Sequence, residues 1–219
     1  MHPRTMAYYE ARMTISSSMV CAILLLLGYA AFVGWSQRAG YLPLTATDMT
    51  NDILLILPLC VALGVAHMMT LEVEARMVEL RASYAEPRWL LPLVRTINTL
   101  AITLSLMLVG SFALWVSYGP YDLFNVWLPA LPPTLCLIGA TLLVGSLSGN
   151  YWVAAGVALT WWFFDIQTRG EYTQLLFLFN ERWPLEDIQS RQNNMAVSLL
   201  GVVLIVVNGI IVTYRRAIT

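Results

Sequence analysis

Six apolar stretches punctuate the chain, at residues 19–35, 53–70, 96–118, 126–147, 151–164 and 195–214. A helix needs roughly 20 mostly apolar residues to cross the hydrocarbon core of a bilayer, so each stretch predicts a membrane span. The fifth is short, and either extends into Gln167 or ends at a re-entrant segment. The fourth carries Pro129, Pro132 and Pro133 near its start. Such prolines are tolerated where neighbouring helices satisfy the freed carbonyls, and they predict a kink or an irregular start. The first stretch follows a leader with Arg4 and Arg12. Its apolar run exceeds the roughly 7–15-residue core of a signal peptide, and no clean small-x-small site follows, so it reads as a retained helix.

The polar intervals are as informative. Residues 71–95 (LEVEARMVELRASYAEPRWLLPLVR) form a compact Arg/Glu segment between the second and third spans. Residues 71–81 contain no Gly or Pro and are rich in strong helix formers. Glu72 and Arg76 make an i, i+4 pair in the favourable order. The second span is therefore expected to run on as a helix. Residues 83–86 then predict a turn, and Pro87 suits the first position of a new helix. Arg88, Trp89, Leu90 and Leu91 are expected to lie on the membrane surface as a short helix before Pro92 and Arg95 lead into span three. Near the N-terminus, Met6, Tyr9 and Met13 follow i, i+3, i+7 spacing, which predicts an amphipathic helix on the surface. The longest loop, residues 165–194, includes YTQLLFLF at 172–179. That run is too short to span and predicts interfacial or re-entrant helices, with Arg182 and Trp183 anchored at the headgroups.

Arginine placement sets the orientation. Eight arginines (Arg4, Arg12, Arg76, Arg81, Arg88, Arg95, Arg215 and Arg216) fall on one side, and four (Arg38, Arg169, Arg182 and Arg191) on the other. The richer side is cytoplasmic by the positive-inside bias. The expected fold is an all-α integral membrane protein, one transmembrane domain over residues 1–219 with six transmembrane helices. Both the N and C termini would be cytoplasmic, with an N-terminal amphipathic surface helix within 1–18. Residues 71–95 would form a cytoplasmic segment and 165–194 an extracellular loop with short re-entrant or interfacial helices.

Composition narrows the chemistry. The chain is 58% hydrophobic and 11% charged, against roughly 25% charged residues in an ordinary soluble domain. Its net charge of −1 leaves no basic face for nucleic acid. All 12 basic residues are Arg. Without Lys, neither a phosphate-binding loop of the Gly-x-x-x-x-Gly-Lys-Ser/Thr type nor a Lys Schiff base can be built. ATP hydrolysis and cofactor chemistry are therefore not expected on this chain. Cys21, Cys60 and Cys136 each sit inside an apolar stretch, where a thiol behaves as a small hydrophobe, and their spacing matches no metal site. Polar residues within the spans are expensive and often functional. His67, Asn98, Thr99 and Ser105 are the candidates for a pathway or for interhelix polar contacts, and Ser111, Thr134 and Asn208 are further polar positions. Gly145 and Gly149 have small-xxx-small spacing, which serves either close helix contact or a turn.

The whole chain resembles an ABC-2 type permease, the membrane half of a type-2 bacterial ABC exporter. The resemblance is carried by six spans, termini on one side and an amphipathic N-terminal segment. It is also carried by the order Glu74…Glu79-Leu80…Ser83…Pro87-Arg88…Arg95 after span two. The run GATLLVGSLSGNYWVAAGV at 139–157, with its tight turn at Gly149-Asn150, and the long loop before span six complete it. The resemblance implies a coupling helix within residues 79–91 that docks on a separate ATPase subunit, with Glu79, Arg81, Glu86, Arg88 and Trp89 as candidate contacts. It further implies ATP and Mg on that partner, a second permease (identical or homologous), and residence in the bacterial cytoplasmic (inner) membrane.

Two other functions compete. A membrane channel or accessory/sensor subunit would need a charged ring or carbonyl filter for conduction, and neither is visible in the spans. An intramembrane serine enzyme would need a nucleophile and base within reach. Gly145-Ser146-Leu147-Ser148-Gly149 only superficially resembles Gly-x-Ser-x-Gly, because position 147 is Leu.

Overall fold

The computed structural model describes residues 17–40, 46–68, 70, 90–118, 123–186 and 188–215. Among these residues the chain is all helical. In order, the helices are α1 (Ser17–Arg38), α2 (Ala46–Val65), α3 (Leu90–Tyr118), α4 (Leu123–Ser148), α5 (Tyr151–Thr168) and α6 (Ser190–Arg215), with one 3-10 turn at Gln174–Leu176. Residues 1–16, most of the stretch expected to hold an N-terminal amphipathic helix within 1–18, and residues 216–219 lie outside the described residues.

Four helices, α1, α3, α4 and α6, contain stretches long and apolar enough to cross a membrane. The apolar part of α2 is only Asn51–Val65, shorter than the roughly 20 residues a span requires. The last turn of α5 carries Asp165 and Gln167. Large apolar side chains cover the outside of the bundle: Leu24, Phe32, Phe112, Leu199 and Ile210 are all at least half exposed. Exposed apolar surface on this scale fits a membrane-associated protein.

Helices consecutive in sequence alternate in direction. Ala22 of α1 and Leu106 of α3 both lie against Gly64 of α2, and Gly110 of α3 lies against Leu57 of α2. The turn at Gly149-Asn150 folds α5 back along α4. Gly149 has φ 64°, a left-handed conformation that glycine adopts without steric cost, and its N–H donates to the Gly145 carbonyl at 2.9 Å. Asn150 then caps α5, its side-chain oxygen accepting from Trp152 N–H at 2.8 Å. The starts of α2, α4 and α6 thus share one end of the bundle with the loop 169–189, called here the capped end.

Helix boundaries differ from the sequence reading in several places; α6, for one, already begins at Ser190, inside the stretch 165–194 read as loop. The second helix does not run on: α2 stops at Val65, and residues 66–68 tighten into turns closed by Met68 N–H to Val65 O (3.0 Å) and Thr70 N–H to His67 O (3.0 Å). Leu90 and Leu91 belong to α3; Arg88 and Trp89, the rest of the expected short surface helix, lie outside the described residues. The helix α4 runs unbroken through Pro129, Pro132 and Pro133. The fifth helix extends through Gln167 to Thr168.

The core lies between α1, α2, α3 and α4, around buried Leu26, Leu57, Val61, Leu106, Met107 and Ile138. The closest crossing joins α4 and α6. A Cβ added at Gly139 would lie 2.7 Å from the Gly201 carbonyl oxygen, and one added at Gly201 would lie 2.6 Å from the Leu135 carbonyl carbon. Only hydrogen fits at either position. This is how two helices gain contact when no polar solvent drives them together.

Candidate functional site

Glu79, Arg81, Glu86, Arg88 and Trp89 lie outside the described residues. The flanks of that segment are defined. His67 is buried within the turns that end α2, its carbonyl accepting both the N–H and the hydroxyl of Thr70, each at 3.0 Å. On α3, successive residues are rotated by about 100°, which separates Thr99 from Ser105. Thr99 is buried and Asn98 half-buried. Ser105 is exposed and returns its hydroxyl to the Ala101 carbonyl at 2.8 Å. Thr99 and Ser105 therefore occupy different faces, and α3 does not present them together. Thr103 and Thr134 also bond back to their own helix, at 2.8 and 2.6 Å. Ser111 joins helices: Trp127 Nε1 of α4 donates to its hydroxyl.

The most organised polar constellation is at the capped end. Its segment leaves α5 through Arg169 (φ 49°) and Gly170 (φ 80°). It makes the 3-10 turn, then buries Phe177, Leu178 and Phe179 against Leu137 of α4, Ala158 of α5 and Val197 of α6. The expected interfacial helices are thus a single turn; the second half of the apolar run, residues 177–179, faces protein, while Tyr172 and Leu175 stay exposed. Asp165, on the last turn of α5, is completely buried. A buried carboxylate requires donors. Asp165 Oδ2 accepts from Leu178 N–H at 2.9 Å, and the Thr173 hydroxyl and the Trp161 indole lie beside it. Asn193 of α6 donates to the carbonyls of Leu175 (2.9 Å) and Phe177 (3.0 Å). Asn180 accepts from Leu185 N–H at 3.0 Å. Arg182 reaches α2, donating to the Asn51 carbonyl at 3.1 Å and standing 3.8 Å from the Asp52 carboxylate. Its guanidinium also covers the Trp183 ring at 4.8 Å. Arg182 and Trp183 are engaged with protein, where the sequence suggests headgroups.

Asp165, Asn180 and Asn193 were not among the sequence candidates. Asp165 directly follows the apolar run ending at Phe164 and so reads as the first residue of a loop. Its one local signal is the aromatic run Trp161-Trp162-Phe163-Phe164 before it and Ile166 after it, surroundings that give a carboxylate no water.

Chemically, the capped end is a set of fastenings. Among the described residues, no three His, Cys, Asp or Glu side chains converge. Elsewhere, Asn208 of α6 is 1% exposed, and neither polar atom of its amide has a hydrogen-bond partner among the described residues. Leaving buried polar groups unsatisfied costs about 1–3 kcal/mol. Asn208→Leu removes those groups while keeping the same branched set of four side-chain heavy atoms, and is expected to raise stability by about 1–2 kcal/mol. The midpoint of unfolding by SDS in mixed micelles measures it; an unchanged or lower midpoint would show that the amide makes a favourable contact in solution.

No protein-family model, curated protein or solved structure matches this chain.

Proposed function

We propose that this chain is the permease subunit of an ATP-binding-cassette exporter, forming a translocation pathway and driven by a separate ATPase. The observation that supports this reading best is the layout. Among the described residues, six helices alternate in direction along the chain. The charged segment containing Glu79, Arg81, Glu86, Arg88 and Trp89 joins α2 to α3, and a structured cap joins α5 to α6 at the other end. In this reading all six helices cross the bacterial inner membrane. The charged segment and both termini face the cytoplasm, and the cap faces outward. Interior polar groups at His67, Asn98 and Thr99 belong to the half of the bundle nearer the ATPase, so they are the first places to look for coupling within the membrane.

The mechanism is a shift between two access states. ATP binding draws the two ATPase subunits together and moves the segments docked on them. The helices attached to those segments then favour one arrangement over the other. The shift can be no larger than the difference in contact energy between the two states. This chain performs no bond chemistry in that cycle; its partner holds ATP and Mg.

The direct test is purification from the native host in mild detergent, with mass spectrometry of the associated chains. A stoichiometric ATP-binding subunit is expected, together with a second permease, identical or homologous. The double variant Glu79→Arg with Arg88→Glu is expected to abolish that association while elution as a folded, monodisperse species is retained. Unchanged association rules out the 71–89 segment as the docking site. A chain that brings down no ATPase, even after cross-linking, belongs instead to the channel or accessory class.

A further inference from the structure

The polar fastenings of the cap are unequal, and the inequality has a direction. Two sit in dry surroundings and tie the cap to helices adjacent in sequence. Leu178 N–H bonds Asp165 of α5 at 2.9 Å, with Asp165 fully buried. Asn193 of α6, 1% exposed, donates to two cap carbonyls at 2.9 and 3.0 Å. Asn194 of α6 also donates to Glu181 at 2.8 Å, at the exposed edge of the cap. The remaining one reaches a helix distant in sequence. Arg182 stands 3.8 Å from Asp52, and both side chains keep about a quarter of their surface exposed (24% and 26%). An ion pair that water reaches is weak and easily exchanged, whereas buried hydrogen bonds open only at the cost of stranding polar groups.

We infer that the tip of the cap is a lid latched to α2 by Arg182 and Asp52, hinged on a base that stays attached to α5 and α6. The tip carries Trp183 and Leu185, which, like Leu55 of α2 and Trp162 of α5, pack against the buried cluster around Phe177 and Phe179. Beneath it Trp162 Nε1 donates to the Leu55 carbonyl at 2.7 Å, so α5 and α2 remain joined when the tip lifts. Opening releases the Arg182 bonds to Asn51 and Asp52 and uncovers an apolar floor between α2 and α5. The base keeps Phe177 and Phe179 buried. The inference does not depend on the transporter reading, since it concerns only which contacts part first.

Hydrogen exchange resolved to single amides, on the full chain in lipid nanodiscs, tests it. The amides to follow are those of Trp183, bonded to Phe179 O at 3.0 Å, and Leu185, bonded to Asn180 Oδ1 at 3.0 Å. Leu178, bonded to Asp165, is the internal reference. Arg182→Asp places like charges together and is expected to speed exchange at Trp183 and Leu185 by about fivefold or more, with Leu178 unchanged. The swap Asp52→Arg with Arg182→Asp is expected to restore protection. Two outcomes overturn the inference: Leu178 exchanging in step with the tip, which would mean the cap opens as one body, or no change at Trp183 and Leu185. Should Arg182→Asp not fold, Arg182→Gln is read by the same criteria.

Discussion

Valine in place of Gly201 is expected to part α4 from α6 and to cost about 3 kcal/mol or more, the upper range for overpacking a close contact. The reason is the identity of the atoms in the way. A Cβ at this position would meet the Leu135 carbonyl carbon at 2.6 Å, Cys136 N at 2.7 Å and the Leu135 carbonyl oxygen at 2.8 Å. All three are backbone, and none can rotate aside. Relief requires one helix to move bodily, which also disturbs Gly139, whose added Cβ would lie 2.7 Å from the Gly201 carbonyl oxygen. Gly64 offers a contrast: its nearest obstacle is Leu106 Cδ1 at 2.8 Å, the end of a flexible side chain, so Gly64→Ala is expected to cost less. Gly209, on the same helix as Gly201, has nothing within 4 Å. Gly209→Ala is the control for any effect of helix propensity alone. The midpoint of SDS unfolding in mixed micelles ranks the three. Equal midpoints for Gly201→Val and Gly209→Ala would mean that the α4–α6 crossing is not this close.

The second large effect is expected at Asp165, and it separates two roles of one side chain. Asp165→Ala removes the acceptor of Leu178 N–H and strands a buried donor, which costs about 1–3 kcal/mol. The vacated space adds to that loss. Asp165→Asn keeps a carbonyl oxygen where Oδ2 stands. It can still accept from Leu178 N–H, and it removes the cost of burying a charge. The asparagine variant is therefore expected to be at least as stable as the parent, and the alanine variant clearly weaker, with its cap more open to limited proteolysis between residues 170 and 186. If both variants lose stability equally, the negative charge itself is required at this site, and an electrostatic partner must supply the difference.

These two residues mark where local sequence stops informing the fold. Gly201 is one of 13 glycines, and nothing in its neighbours distinguishes it from Gly209. One sits against the backbone of α4 and the other faces open space, a distinction made entirely by a helix some 60 residues earlier in the chain. Helices in a membrane-like environment also lack the usual guide. An amphipathic helix of a soluble protein shows its inner face by a polar–apolar contrast. On α6, exposed Leu199, Val203, Val206 and Ile210 are as apolar as buried Val197. The polar residues could be found in the sequence, but not their grouping. Thr99 and Ser105 both read as intramembrane hydroxyls, and helix rotation sends one inward and the other outward.

What the sequence determined by itself is the series of helices. Helix formation is local, and apolar run length together with breakers such as Gly149-Asn150 marks most starts and stops without reference to distant residues. Charge content and the absence of Lys limited the chemistry in the same direct way. One end required the fold. The stop of α2 at Val65 comes just before a stretch of good helix formers, where propensity sums are too even to place a boundary. The cap was decided only by tertiary structure. Residues 172–179 are apolar enough for either lipid or protein; residues 177–179 face protein because α4, α5 and α6 together form a surface for them, while Tyr172 and Leu175 stay exposed. The polar groups that hold the cap, from Asp52 on α2 to Asn193 on α6, come from three helices, and only packing of the whole bundle brings them within bonding distance.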